Sequence, residues 1–494
     1  MNCLTYLEPE GYSRNIDIVS KRIRYKKNQL VGDWRLVNKL GTGGNGEVWS
    51  ATHKTKSSGA IKLLKNIRSV VYDRFRSEVE AIEKNQDIDG VIPLIDSFLP
   101  EDITRQVPWY VMPKALKFSD WREGKSVLEI VEGMLELAKT IRELHQKKFH
   151  HRDIKPANIL FLNDRLFISD FGLVKYPDRS DITPENSDIG PKYTMAPEMR
   201  RYAQRADGEA ADIYSFAKTL WIAIVGDMQC FDGQYSPLSV ISINSVCTGL
   251  YTKSLNDLLT ECTDNSPELR PKMNAVINRI EDWIRINNDF HQQNLTEWFD
   301  LQNRLFPAGM PESVTWTNSE NIITVLNEIG KTESLNHTFL PGGGGNTFIG
   351  AEHANEDGMI AIKLSDSVYD YVKPKKLTFE SFGLNPKWNY FRLEVENIEL
   401  TDVYGGNGSS TCYEELVELQ ANKYVQRYHW DIHEYQDEPL PDQARLVCRY
   451  FSGCFVIFST RSPYNLDSST YDGRHNKMTE QAFRDYIFRN ASMS

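Results

Sequence analysis

The segment HHRDIKPANILFLNDRLFISDFGLVK, residues 150–175, limits what this chain can fold into more than any other stretch. Its middle, ILFLNDRLFIS, reads as two apolar strands turning at Asn163–Asp164, residue types suited to a tight hairpin turn. Polar side chains stand on both flanks: Asp153, Lys155 and Asn158 before the hairpin, and Asp170 twelve residues beyond Asn158. The hairpin is the short support that a site assembled from both flanks requires.

These residue types suit phosphoryl transfer. That reaction asks little covalent chemistry of a protein and much positioning of phosphates, metal ions and an attacking hydroxyl. The remaining parts lie upstream, in order. LGTGGNGEVW begins at Leu40, and Gly41, Gly43 and Gly46 let backbone N–H groups approach phosphate oxygens, although alone they fit a hairpin turn equally well. Val48 and Ala60 would cover an adenine face. Lys62 in AIKLL supplies an ammonium for the phosphates, and Glu78 on the next helix is placed to hold it as an ion pair. Asp153 would accept or orient the proton of the substrate hydroxyl, and Lys155 would lie over the transferring group. Asn158 and Asp170 would each ligate a metal ion.

A chain of 494 residues exceeds the usual span of one core, so two or three domains are expected. Residues 1–33 read as a lead-in. From Trp34 short apolar strands alternate with turns; a helix over YDRFRSEVEAIEKN and two further strands, VIPLIDSF and WYVMP, complete a five-stranded lobe. After residue 125 the pattern is helical, opening with SVLEIVEGMLELAKTIRELHQ, where Ser126 and Glu129 make a capping box. From 289 to 494 aromatic and β-branched runs, turns such as GGNGSS and one helix, SENIITVLNEIG closed by Gly330, predict a separate α+β domain.

The formal charge of −11 disfavours nucleic acid as a partner, and KRIRYKK at 21–27 reads as a solvated strand or arm. Seven scattered cysteines suggest neither a disulfide framework nor a zinc knuckle. With no apolar run of about 18 residues and no signal-peptide pattern, a cytoplasmic protein without membrane contact is expected.

In combination, the glycine loop, AIKLL, HRDIKPAN, DFG, APE and DIYSFA resemble the eukaryotic-type (Hanks-type) serine/threonine protein kinases over residues 34–288, about half of the chain. The resemblance implies a bilobal fold with a β-rich N-lobe and a helical C-lobe, ATP with Mg²⁺ or Mn²⁺ as cofactors, and protein substrates. It implies an ATP site of Leu40, Gly41, Gly43, Gly46, Val48, Ala60 and Lys62, with Met112 as gatekeeper and Pro113, Lys114 and Ala115 as hinge. Ser119 and Asp120 both lie near the ribose position. Glu198 would pair with Arg270, and Asp212 would anchor the catalytic loop. Lys155 is the serine/threonine pattern. Arg152 beside Asp153 implies control by phosphate, with Ser187, then Thr183, as phosphosites, or with Asp188 or Glu185 as a permanent charge.

One departure stands out: Pro191 occupies the place where such kinases carry a bridging threonine, and Thr194 is the nearby hydroxyl that could substitute. Two other readings stay open, a pseudokinase-like scaffold and a small-molecule phosphotransferase; a signalling role in bacterial phage defence is an analogy alone. The second glycine loop, LPGGGGNTFIGAEHANEDGMIAIKL, has no HRD, DFG or APE after it and reads as a turn between two strands of the last domain. The physiological substrate, the role of residues 289–494 and the oligomeric state are not written in the sequence.

Overall fold

A computed structural model describes residues 23–43, 46–65, 68–103, 105–176, 193–201, 203–341, 344–355, 358–366, 368–382, 388–397, 401–402, 414–421, 423–426, 442, 444–449, 451–459 and 473–493. The turn GGNGSS, Ser187, Thr183 and Pro191 lie outside them. The chain forms two compact units: residues 1–248 with 252–284, and 249–251 with 285–494.

The first unit opens with a six-stranded antiparallel sheet in the order β1-β2-β3-β4-β6-β5. The strands are β1 (Leu30–Val31), β2 (Trp34–Thr42), β3 (Gly46–Thr52), β4 (Gly59–Leu64), β5 (Asp96–Phe98) and β6 (Trp109–Met112), with helix α1 (Ser69–Lys84) between β4 and β5. Trp34, Leu36, Ile61, Leu63 and Val111 fill one face. Of the lead-in expected over 1–33, the described residues 23–33 pack onto this sheet. Tyr25 is buried in that core with its hydroxyl donating to the Leu64 carbonyl, and β1 pairs with β2 across the Gly32 turn. An aromatic ring inside KRIRYKK has an apolar sheet face to cover, so Arg24, Lys26 and Lys27 are exposed while Tyr25 points in.

The second lobe is helical. After β7 (Leu116–Lys117) and α2 (Phe118–Arg122), α3 (Val127–Gln146) begins at the expected capping box, with Ser126 and Glu129 each bonding the other's backbone N–H. Met134, Leu137, Ala138 and Ile141 form its buried stripe. The hairpin of β8 (Ile159–Leu162) and β9 (Arg165–Ile168) turns where expected, Asn163 and Asp164 both having positive φ. After α4 (Pro197–Arg201) comes α5 (Gly208–Val225), apolar almost all round and buried almost throughout. It is capped by Asp207 and stopped by Gly226 at φ +86°. Helices α6 (Lys253–Cys262) and α7 (Met273–Asn288) complete the lobe.

The second unit is the α+β module expected. Among the described residues its helices are α8 (Phe290–Leu305), α9 (Ser319–Gly330) and α10 (Glu480–Met493). Its central sheet has the order β10-β16-β17-β22-β11-β12. The members are β10 (Ser313–Trp316), β11 (His337–Phe339), β12 (Gly345–Thr347), β16 (Pro374–Glu380), β17 (Tyr390–Val395) and β22 (Gly453–Phe458); β13 (Gly350–His353), β14 (Ile360–Ser365) and β15 (Val368–Val372) form a separate sheet. A third sheet joins β18 (Thr401–Asp402), β19 (Glu414–Gln420), β20 (Lys423–Gln426) and β21 (Arg445–Arg449). Strand alternation explains why helices cover both faces of the central sheet: Phe391, Leu393, Phe455 and Ile457 meet the side of α8 and α9, while Tyr390, Val456 and Phe458 meet α10.

Gly330 ends α9, but not as a left-handed cap. A Cβ there would lie 2.6 Å from the Ile349 carbonyl carbon and 2.7 Å from the Gly350 nitrogen, so the glycine permits close approach of a passing chain. Gly330→Ala is expected to destabilise this unit by about 1–3 kcal/mol through overpacking. Hydrogen exchange read on peptides of α9 and β13 checks this; unchanged protection would refute it.

Candidate active site

The glycine loop is a hairpin and also lines the cleft. Gly41 pairs with Val48 in the β2–β3 ladder, and the Gly43 N–H donates to the Gly46 carbonyl at 2.9 Å across the tip. A Cβ on Gly41 would meet nothing within 4 Å, so its missing side chain leaves open space rather than filling a packing need. Leu40 is exposed, Val48 half-buried, and Ala60 stands opposite Met112 across β4 and β6. Ala115 lies in the link between β6 and the short strand that begins at Leu116.

Lys62 sits mid-strand in β4, and its Nζ lies 2.6 Å from Glu78 Oε1 on α1 and 3.2 Å from Asp170 Oδ1. Glu78 lies on the buried face of α1 and also accepts the Tyr110 hydroxyl at 2.7 Å. Sequence reasoning missed Tyr110. It stands directly opposite Lys62 in the β4–β6 register, so the two side chains share a face, but register is not readable from a single strand's residues. Burial works against the Lys62 ammonium, yet Asp170 and then Glu78 hold it well above its ordinary range. Burial pushes the Glu78 carboxyl up to about 7, opposed by Lys62 and Tyr110.

On the facing loop, Lys155 Nζ lies 2.8 Å from Asp153 Oδ2, and the Asn158 amide donates to the Asp153 carbonyl and to Oδ2, both at 2.9 Å. Burial raises the Asp153 carboxyl above the usual carboxylate range, with Lys155 pulling the other way. Asp170 moves oppositely, since the Lys62 ammonium outweighs burial and lowers it. Two carboxylates facing one cleft are thus pushed apart in basicity, one toward holding a proton and one toward staying charged. Asp170 has φ +63° and Arg152 φ +64°, backbone states costing on the order of 1–3 kcal/mol that over-determined surroundings must impose.

Asp212 on α5 imposes the second of these. Its two oxygens accept the His151 N–H at 2.7 Å and the Arg152 N–H at 2.6 Å, and His145 Nε2 lies 3.0 Å away. Glu198 and Arg270 form a two-pronged pair at 2.6 and 3.0 Å. Arg152 is buried, and its Nη2 donates to the Ala203 carbonyl. Thr194 is buried, and its Oγ1 has no partner among the described residues; it bonds neither Asp153 nor Lys155.

The donor set fits a nucleotide and a hard divalent ion. With the Asn158 NH₂ spent on Asp153, the amide oxygen is left without a described donor, and the Asp170 side chain remains 45% exposed beside it in sequence order across the hairpin. Oxygen ligands this few suit an ion that takes the rest of its coordination from phosphates and water.

Asp212→Asn keeps the shape but removes one acceptor and the charge, at a cost on the order of 2–4 kcal/mol. Burial opposes the Asp212 charge, but His145 and the loop N–H groups hold the carboxyl below its ordinary 3.8. Its stabilisation is therefore complete above that range and lost as pH falls through the native value. The stability gap between wild type and variant, measured by urea unfolding, should be full at pH 7 and close below about pH 4. A gap that does not narrow would show that the carboxylate is not the anchor.

Residues 34–283, just over half of the chain, match a family model described as the protein kinase domain. Similar proteins include the probable serine/threonine-protein kinase PkwA of Thermomonospora curvata, 25% identical over 302 residues, which are 57% of this chain and 38% of that one. A probable serine/threonine-protein kinase of Clostridium perfringens is 28% identical over 248 residues, 47% of this chain and 36% of its own. One of Clostridium acetobutylicum is 25% identical over 311 residues, 59% and 46%. The chain thus spans less than half the length of these relatives. A solved kinase-domain crystal structure is similar over 52% of this chain and 98% of its own, at 15% identity and a TM-score of 0.41. Matched in its family model over residues 34–283, the chain belongs to the protein kinase family.

Proposed function

We propose that the first unit is a protein serine/threonine kinase moving the γ-phosphoryl of ATP to protein serine or threonine hydroxyls. The observation that carries the reading is the convergence of Lys62, Glu78 and Asp170 on one side of the cleft with Asp153, Lys155 and Asn158 on the other. ATP with Mg²⁺ or Mn²⁺ supplies the transferable group and neutralises its charge. The chain's own residues do the positioning. The glycine loop of Gly41, Gly43 and Gly46 would border the phosphates and Lys62 would hold them, with Glu78 and Tyr110 keeping the ammonium in place. Asn158 and Asp170 offer metal ligands. Asp153, raised by burial, takes or orients the hydroxyl proton, and Lys155 faces the transferring oxygens. The intact set weighs against a scaffold without chemistry.

Asp153→Asn and Asp170→Ala should each lower phosphate incorporation into a basic test protein by about a hundredfold or more, because base and metal ligands act as a unit. Lys62→Met and Glu78→Gln should lower the same rate, and Tyr110→Phe, which leaves the ion pair intact, should lower it less than either. Radiolabel transfer with Mg²⁺ measures all five; wild-type turnover in Asp153→Asn or Asp170→Ala overturns the reading.

The second unit is proposed to recognise the substrate or a signal, since the residues of the proposed chemistry all precede it. A chain of residues 1–288 retains α7 whole and should phosphorylate the test protein at a rate within a few-fold of the full chain, whereas loss of that activity would assign the second unit to the catalytic machinery.

A further inference from the structure

The second AIKL run lies in β14, and the strand beside it, β15, is an outer member of its three-stranded sheet. Among the described residues no strand pairs with the far edge of β15, so its outward N–H and C=O groups are open to another chain. Register puts Ile360 opposite Val372 and Ile362 opposite Asp370. Both isoleucines and Val372 belong to the main apolar core of the unit, so Asp370 stands on the apolar face of an edge strand.

Asp370 is half-buried, and among the described residues no hydrogen bond or ion pair reaches its carboxylate. Burial alone acts on it and pushes it up to about 6, with no cation drawing it back. Buried strand carboxylates elsewhere in the unit have partners: Glu380 accepts from Tyr390 and Arg484, and Glu418 accepts from Arg445. Beside Asp370 on the same face of β15 is Val368, an apolar side chain 51% exposed.

A charge turned toward the apolar face of an edge strand guards it against indiscriminate pairing, because an ordinary strand laid alongside would seal that charge from water. A strand that brings a cation to the same place passes the guard, so one residue supplies both the repulsion and the attraction that make a partner specific. A second copy of β15 paired about Asp370 would set carboxylate against carboxylate, which is destabilising. We infer that β15 is a docking edge for an extended segment of a partner protein, one that sets arginine or lysine against Asp370 and an apolar residue two positions away against Val368. Backbone bonds to the open edge supply affinity, and the alternate side chains supply the choice of partner. The inference rests on the recognition role proposed for the second unit; that role is read separately from the truncated chain, and failure here leaves the phosphotransfer reading intact.

The probe is a labelled, end-blocked peptide with arginine at its centre, valine two residues to either side and glutamine elsewhere, so that no hydroxyl is offered to phosphotransfer. Fluorescence anisotropy with the full chain should show saturable binding, at least about tenfold tighter than for peptides with glutamate or valine at the centre. Asp370→Asn, which keeps the shape and removes the charge, should weaken the arginine peptide by about tenfold or more and abolish its advantage over the valine peptide. Asp370→Lys should favour the glutamate peptide instead, and should that chain fail to fold, Asp370→Asn decides. Hydrogen exchange over residues 368–372 should slow when the arginine peptide is bound. The inference is overturned if that peptide fails to bind at millimolar concentration, if a folded Asp370→Asn chain binds it as wild type does, or if saturating peptide leaves exchange over 368–372 unchanged. A dimer in analytical ultracentrifugation that the peptide dissociates would make a second copy the occupant and overturn it equally.

Discussion

The Asp212 carboxylate is the point on which the candidate site depends. It sits on α5, the helix buried almost throughout, and through two backbone hydrogen bonds it holds His151 and Arg152, the latter in a conformation a non-glycine residue otherwise avoids. The loop that follows carries Asp153, Lys155 and Asn158. Their geometry is therefore set by a group that touches none of the reacting atoms in the proposed chemistry. A buried, unpaired carboxylate would be costly; here two N–H groups and His145 offset that cost, and in doing so they convert burial into precise placement.

The opposite wall is held by a different device. Glu78 comes from a helix, Lys62 and Tyr110 from adjacent strands, and Asp170 from the end of the β8–β9 hairpin. Four elements meet at one largely buried cluster that opens to the cleft at Asp170, so a shift of α1 changes the position of the ammonium directly. Such a cluster contributes little net stability, because desolvation consumes much of the Coulomb gain. Its value lies in fixing one arrangement of the parts.

Much of this was legible in the residues because it is local. The turn at Asn163–Asp164, the capping box at Ser126 and Glu129, and the spacing from Asp153 to Asp170 are short-range patterns whose chemistry names their geometry. What escaped depends on long-range register and packing. Tyr110 joins the ion pair only because β4 and β6 align Lys62 with it, and Tyr25 belongs to the sheet core because an apolar face was left for it to cover. The Arg152 donor to the Ala203 carbonyl, 51 residues away, is likewise invisible in the local pattern. Gly330 read as a helix stop and does end α9, but it is also a place where another segment of the chain passes closely, which the local pattern does not show.

The central sheet of the second unit ends in β10, four residues long, and β12, three residues long, while its longer strands β16, β17 and β22 lie inside. An outer strand carries unpaired backbone groups that invite pairing with another chain, and brevity limits how many such bonds a newcomer could form. The apolar strands, with runs such as CFVIF, are thereby shielded on both sides by short ones and on both faces by helices. Solubility of this unit thus resides in its least hydrophobic strands: lengthening β12 at the glycine-rich turn would extend a template for self-association without altering the core at all.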